Sequence, residues 1–292
     1  MIINPQSEMM DRTARRAMIE RQFINIFRWA YEKSPFYRAK YQKAGIAASD
    51  VQSLDDIAKL PLTSIEELQS VPASDMLTGP LSTALRLTRS QSGIYRCFNA
   101  EDMTRNVDIA LRPLAASDVN KTTTLVICGD YSSQCILDLH YAAEALGAAV
   151  IPCYNPDAGL NALDVFHPHM MIGTSDTLAQ IAAKTDELPQ LIMLVSGLHD
   201  EKASILEQKA GRFIPKIYVG ANLGLAGILF TCEQHRWHIQ EDYFYPETAG
   251  GRLVLTALTA QAMPVLRLAT EERGTLSSDS CLCGRTFCTF LP

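Results

Sequence analysis

With 292 residues, 47% hydrophobic and 20% charged, the chain is long enough to bury a core without disulfide staples. Its net charge of −6 and the lack of any Lys/Arg run argue against a nucleic-acid or anionic-membrane surface. No apolar stretch is long enough to span a bilayer, and the opening MIINPQSEMMDRTARR sets charges where a signal peptide needs an apolar core, so a cytoplasmic protein is expected.

Residues 12–33 carry Ile19, Phe23, Ile26, Phe27 and Ala30 at helical spacing, and Ser34-Pro35 stops that helix. A short helix is predicted at 36–44, ended by Gly45. Ser53-Leu-Asp-Asp and Thr63-Ser-Ile-Glu read as helix starts, each an oxygen-bearing cap followed three residues later by an acid. Short apolar runs at 123–128, 149–153, 170–172, 191–195 and 214–219 read as strands. Helices at 133–146, 176–185 and 200–210 separate most of them, which predicts an α/β fold: a mostly parallel sheet with helices on both faces. From about residue 228 the runs ILF, HIQEDYFY, RLVLTAL and VLRLA follow one another without helices, as in an antiparallel or mixed β subdomain. The expected organisation is a helical N-terminal arm (1–80), an α/β core (81–227) and a β-rich C-terminal subdomain (228–292).

Several stretches, in this order, carry a family likeness. SPFYRAKYQKAGI (34–46) and LDDIAKLPLTSIEEL (54–68) open it, and LHYAAEALGAAVIP (139–152) follows. HIQEDYFYPE (238–247), LTALTAQAMPVLR (255–267) and CLCGRT (281–286) complete it. Together they resemble the phenylacetate–CoA ligase family of the adenylate-forming superfamily. The resemblance implies the large N-terminal domain of AMP-forming ligases, which activate a carboxylic acid as an acyl-adenylate and pass it to coenzyme A. It also implies ATP or AMP, CoA and a small carboxylic acid as ligands, and a homodimer.

That chemistry needs amides and a cation around the triphosphate, a metal on the phosphoryl oxygens, and an anchored nucleoside. Where the family has a Ser/Thr/Gly-rich phosphate loop with a lysine, this chain reads Thr88-Arg89-Ser90-Gln91-Ser92-Gly93-Ile94-Tyr95-Arg96, with one glycine and no lysine. Arg89 and Arg96 are the cations left there, and a plain hairpin turn is the simpler reading. The family's metal-handling Glu aligns with Asn222, after Tyr218 at the end of a strand. Its ribose-holding Asp aligns with Glu272, and its Gly-Ala-Glu-Pro-like segment with Ser196-Gly197-Leu198-His199. The chain also stops at Pro292, where the family continues into a lid domain bearing a lysine. These losses argue against autonomous ATP-dependent CoA ligation and the ATP, AMP and CoA ligands it would need.

Eight cysteines in a cytoplasmic chain read as thiols or metal ligands rather than disulfides. Cys281-x-Cys283 offers one half of a tetrahedral zinc site, and Cys232 with His235 or His238 offers the other. Cys-x-x-His spacing favours His235 and the family resemblance favours His238; buried thiols and surface histidines are the bland alternative. With Cys232, His238, Cys281 and Cys283 as ligands the zinc would be structural.

The resemblance places the helix bearing His140 and Tyr141 along an acyl pocket, with a core histidine bonded to a backbone carbonyl as the simpler reading of His140. Candidate ligand-binding residues are therefore His140, Tyr141, Tyr218, Asn222 and Glu272. Asp130-Tyr131-Ser132-Ser133 lies at a strand's carboxyl end, with a helix cap as the simpler reading. His167-Pro168-His169 reads as a loop, Cys128, Cys135 and Cys153 as core, Asp200-Glu201 as a helix start, and Glu241-Asp242 as a solvated strand face. The expected function is binding of an aryl or acyl carboxylate or its activated form. The alternatives are a pseudoenzyme scaffold with a protein partner, or adenylation with a lid domain supplied by another chain.

Overall fold

The computed structural model describes residues 1–90, 93–219 and 223–292. Helix α1 spans Pro5–Glu8, and α2 spans Arg12–Lys33, capped by Asp11, whose carboxylate accepts the amides of Thr13 and Ala14. Ser34 ends α2 in an extended conformation, as a residue before proline must, and Pro35 opens α3 (Pro35–Lys43). Ser53 starts a 3-10 segment (Leu54–Lys59) rather than an α-helix. Helix α4 (Ile65–Ser70) is capped by Ser64, not by Thr63. The reason is competition: Thr63 bridges Leu268, its amide donating to Arg267 O at 2.8 Å and its hydroxyl to Leu266 O at 2.8 Å. Ser64 and Glu67 then form the reciprocal capping pair one residue further on.

After α5 (Ala73–Met76), strands β1 (Arg86–Arg89) and β2 (Tyr95–Phe98) form an antiparallel hairpin. Helix α6 (Ala100–Ala116) was not predicted; Pro113 inside it hides its periodicity, although Asn99 and Asp102 form a cap exchange that signals its start. The chain then alternates β3 (Thr124–Cys128), α7 (Gln134–Ala145), β4 (Ala149–Cys153), α8 (Pro156–Phe166), β5 (Met170–Thr174), α9 (Ser175–Ala182), β6 (Leu191–Ser196), α10 (Glu201–Ala210) and β7 (Lys216–Val219). Helix α8 also went unpredicted, though Asn155-Pro156 supplies both its cap and its first turn. Strands β8 (Ala226–Thr231), β9 (Trp237–Ile239), β10 (Phe244–Ala249), β11 (Arg252–Ala257), β12 (Val265–Arg273), β13 (Thr275–Ser277) and β14 (Thr289–Leu291) complete it.

These elements form two compact units that interleave along the chain. The first comprises Met1–Asn4, Asn106–His238 and Cys281–Cys283, and the second Pro5–Arg105, Ile239–Ser280 and Gly284–Pro292. In the first, the sheet runs β4-β3-β5-β6-β7-β8 with β9 beside β8; pairs up to β7 are parallel and β8 returns antiparallel. Alternation along β3 divides its side chains between two cores. Leu125 and Ile127 pack against α7 through Ile136, Leu139 and Ala143. Val126 and Cys128 face the opposite layer, with Ala162 of α8, Ile181 of α9 and Leu206 of α10. The expected α/β architecture, helices on both faces of a mostly parallel sheet, is thus present.

In the second unit, α2 and α3 bury Phe23, Phe27, Tyr37 and Tyr41 with Leu54, Leu60, Leu258 and Leu266. Beside them lies the antiparallel sheet β10-β11-β12. Among the described residues, no helix is long and apolar enough to cross a membrane.

Candidate metal centre and ligand-binding residues

Strand β8 ends at Thr231, and Cys232 opens a tight turn in which its N donates to Arg236 O and His235 N donates to Cys232 O. His235 takes a left-handed conformation (φ 58°) and stacks on Phe213, ring centroids 3.6 Å apart. The turn reverses the chain into β9, whose middle residue is His238, fully buried. Cys281 and Cys283 come back to the same place, parted by Leu282, which is 92% exposed.

The ligating atoms of Cys232, His238, Cys281 and Cys283 all lie within 4.8 Å of one another. Cys232 and Cys281 sulfurs are 3.7 Å apart, and Cys283 Sγ is 3.4 Å from His238 Nε2. Tetrahedral zinc with bonds of about 2.3 Å to sulfur and about 2.0 Å to nitrogen sets sulfurs about 3.8 Å apart and sulfur and nitrogen about 3.5 Å apart. Those two separations match the tetrahedral values, and all four donors lie close enough together to hold one metal ion. The Cys232 thiol pKa is raised, first by the Cys283 thiol and then by burial, and that of Cys281 is raised chiefly by burial. Thiols so packed hold their protons until a cation replaces them. Of the two histidines weighed from the sequence, the structure brings His238 to the cysteines, and His235 is engaged with Phe213.

His140 projects from α7 with its side chain 18% exposed. Its Nδ1 lies 3.4 Å from the Tyr131 hydroxyl and its Nε2 3.2 Å from Glu144. Glu144 escaped the sequence reading, although its i,i+4 spacing from His140 is the available signal. Tyr131 follows β3 directly, at the sheet's carboxyl edge, and burial pushes its phenol pKa up. Tyr141 is half-exposed beside His140, the rings edge to face at 5.8 Å. Tyr218 is buried in β7 and paired in register with Ser196 of β6. Asn222 lies outside the described residues, as do Gln91 and Ser92 of the family's phosphate-loop position. Glu272 belongs to the second unit, in β12, its amide donating to Thr270 Oγ1 at 3.2 Å.

The remaining candidates are structural. His167 is the left-handed C-cap of α8, and His169 Nδ1 accepts the amide of Thr124. Cys128, Cys135 and Cys153 are buried, and burial raises all three thiol pKa values. Asp200 caps α10. The solvated strand face expected of Glu241 and Asp242 is not found: both lie in the turn before β10, largely buried. Arg15 pairs with Glu241 at 3.4 Å, and Ser7 donates to Asp242 at 2.5 Å.

No family model matches the chain. The phenylacetate–coenzyme A ligase of Thermus thermophilus is 26% identical over 98% of this chain and 71% of its own length. That of Escherichia coli is 25% identical over 83% of this chain and 63% of its own. Over most of its length the chain is similar to the phenylacetate–coenzyme A ligases. It spans 62% of the length of the Pseudomonas putida phenylacetate–coenzyme A ligase, at 24% identity. A crystal structure of 2-hydroxyisobutyryl-CoA ligase in complex with 2-HIB-AMP and CoA has a TM-score of 0.87 with this chain at 18% identity. The match covers 98% of this chain and 70% of that one. The same ligase in the postadenylation state has a TM-score of 0.87 at 19% identity. The likeness to these structures establishes the adenylate-forming enzyme fold.

Proposed function

We propose that this phenylacetate–CoA ligase relative binds an aryl or acyl carboxylate, or the adenylate or thioester made from it, and does not ligate CoA on its own. The observation that carries the reading is His140, poised between Tyr131 and Glu144 next to the carboxyl end of β3. A ring nitrogen there hydrogen-bonds a carboxylate as it does that of Glu144, while Tyr131 holds the other ring nitrogen. The 2-hydroxyisobutyryl-CoA ligase structures hold an acyl-adenylate in the same fold, which supports this ligand class. Against ligation stand the internal positions: no lysine between Thr88 and Arg96, Asn222 for the family's metal-handling Glu, and Glu272 for its ribose-holding Asp. Phosphoryl transfer rests almost wholly on such positioning and charge, so losing them removes the reaction before it removes the fold.

Calorimetric titration with phenylacetate and 2-hydroxyisobutyrate tests the reading. Saturable binding, weakened about tenfold or more in His140→Gln by loss of the imidazole's hydrogen bond to the acid, is expected. No binding of either acid, or affinity unchanged in His140→Gln, would overturn it and favour a protein scaffold.

The zinc reading is supported by the fit of Cys232, His238, Cys281 and Cys283 to tetrahedral distances. With four protein ligands no coordination position stays open, so the ion would serve stability rather than catalysis. Elemental analysis is expected to give one zinc per chain, and Cys281→Ser to lose it and lower the unfolding temperature. A metal-free protein whose unfolding temperature is indifferent to added zinc would contradict the assignment.

A further inference from the structure

A cavity of about 150 Å3 opens in the second unit at the first turns of α2, lined by Arg12, Arg15, Arg16, Glu241, Tyr245 and Thr286 among others. Three arginines thus line it against one acidic residue. Arg15 is 3% exposed; its Nη2 donates to Ser7 O at 2.9 Å and to Thr286 Oγ1 at 2.7 Å, and its Nη1 pairs with Glu241 at 3.4 Å. Its Nε has no hydrogen-bond partner among the described residues. Glu241 is itself spoken for, its Oε2 accepting the Cys288 amide at 2.6 Å.

Arg12 and Arg16 stand one helical turn apart at the rim, where like charges at i,i+4 repel. Arg16 has an exposed partner in Asp55 at 2.6 Å, which solvent screens. Arg15 is held in place, its Nη1 also donating to Thr286 O at 2.5 Å and its guanidinium 4.7 Å from the Phe287 ring, whereas Arg12 and Arg16 stand at the open rim, where the dipole at the start of α2 adds positive potential. Burial pulls the Arg15 pKa down, against the opposing pull of the Glu241 and Asp242 carboxylates.

We infer that this cavity binds a tetrahedral oxyanion, either inorganic phosphate or the phosphoryl group of a phosphate monoester. Arg12 and Arg16 close on it from the rim, and Arg15 faces it from the buried wall. The inference is independent of the carboxylate reading, since every residue in it lies outside the first unit.

The test is calorimetric titration of the full chain with inorganic phosphate and with glycerol phosphate, each at constant ionic strength in chloride. The double variant Arg12→Gln/Arg16→Gln, both positions being exposed, runs alongside with its unfolding temperature measured in phosphate-free buffer. Saturable one-to-one binding is expected, about tenfold or more weaker in the double variant, whose unfolding temperature is not lowered. Tighter binding of the monoester assigns a phosphorylated metabolite, and the reverse assigns free phosphate. No saturable binding of either probe, or equal affinity in the double variant, overturns the inference.

Discussion

Arg96 is the least expected residue of the second unit. It was weighed from the sequence as a cation left in the phosphate-loop region, yet the structure buries it to 2% exposure. Its Nε and Nη1 have no hydrogen-bond partner among the described residues, and burial lowers its pKa against a weaker pull from Tyr37 and Asp102. A buried cation with two unpaired nitrogens among the described residues, its guanidinium 5.7 Å from the Phe98 ring, costs more in desolvation than distant charges return. Arg96→Met, similar in length and apolar, is therefore expected to stabilise the chain by about 1–3 kcal/mol in denaturant unfolding; destabilisation would mean that Arg96 holds an essential partner. His238 was legible in outline, because Cys and His residues at two short spacings limit the choices. Selecting it over His235 needed the turn itself, in which His235 leaves to stack on Phe213. The burial of Glu241 was not legible, because its partners are Arg15, far away in sequence, and the Cys288 amide.

Among elements, those with a clean period were read closely: the apolar stripe of α2, the parallel strands and α7 all emerged near their predicted spans. What failed was punctuation. Pro113 concealed α6, and α8 went unread although Asn155-Pro156 marks its start. At α4 both Thr63 and Ser64 stand three residues before an acid, so sequence spacing cannot choose between them. Tertiary structure decides, by drawing Thr63 into its bridge with Leu268. The two roles separate experimentally. Ser64→Ala, which loses the cap, is expected to cost about 1 kcal/mol in denaturant unfolding. A neutral Ser64→Ala would show that the Glu67 carboxylate, which also pairs with Lys40, holds the helix start without it.

For the whole molecule, strand–helix alternation was enough to foresee the α/β architecture. The interleaving of the units was not foreseeable, since the short return of Cys281–Cys283 to the first unit has no periodicity to betray it. A metal joining Cys232 to Cys281 closes a loop of 49 residues, a long-range constraint that local pattern does not encode. The adenylate-forming fold is present, and the proposal is that it keeps a carboxylate-binding surface while the internal positions that would handle ATP are replaced. The most direct measurement is carboxylate-dependent ATP–pyrophosphate exchange with the zinc-loaded chain, using acids it binds by calorimetry. The account predicts binding without exchange above the acid-free background, whereas exchange that rises with acid concentration and saturates would contradict it.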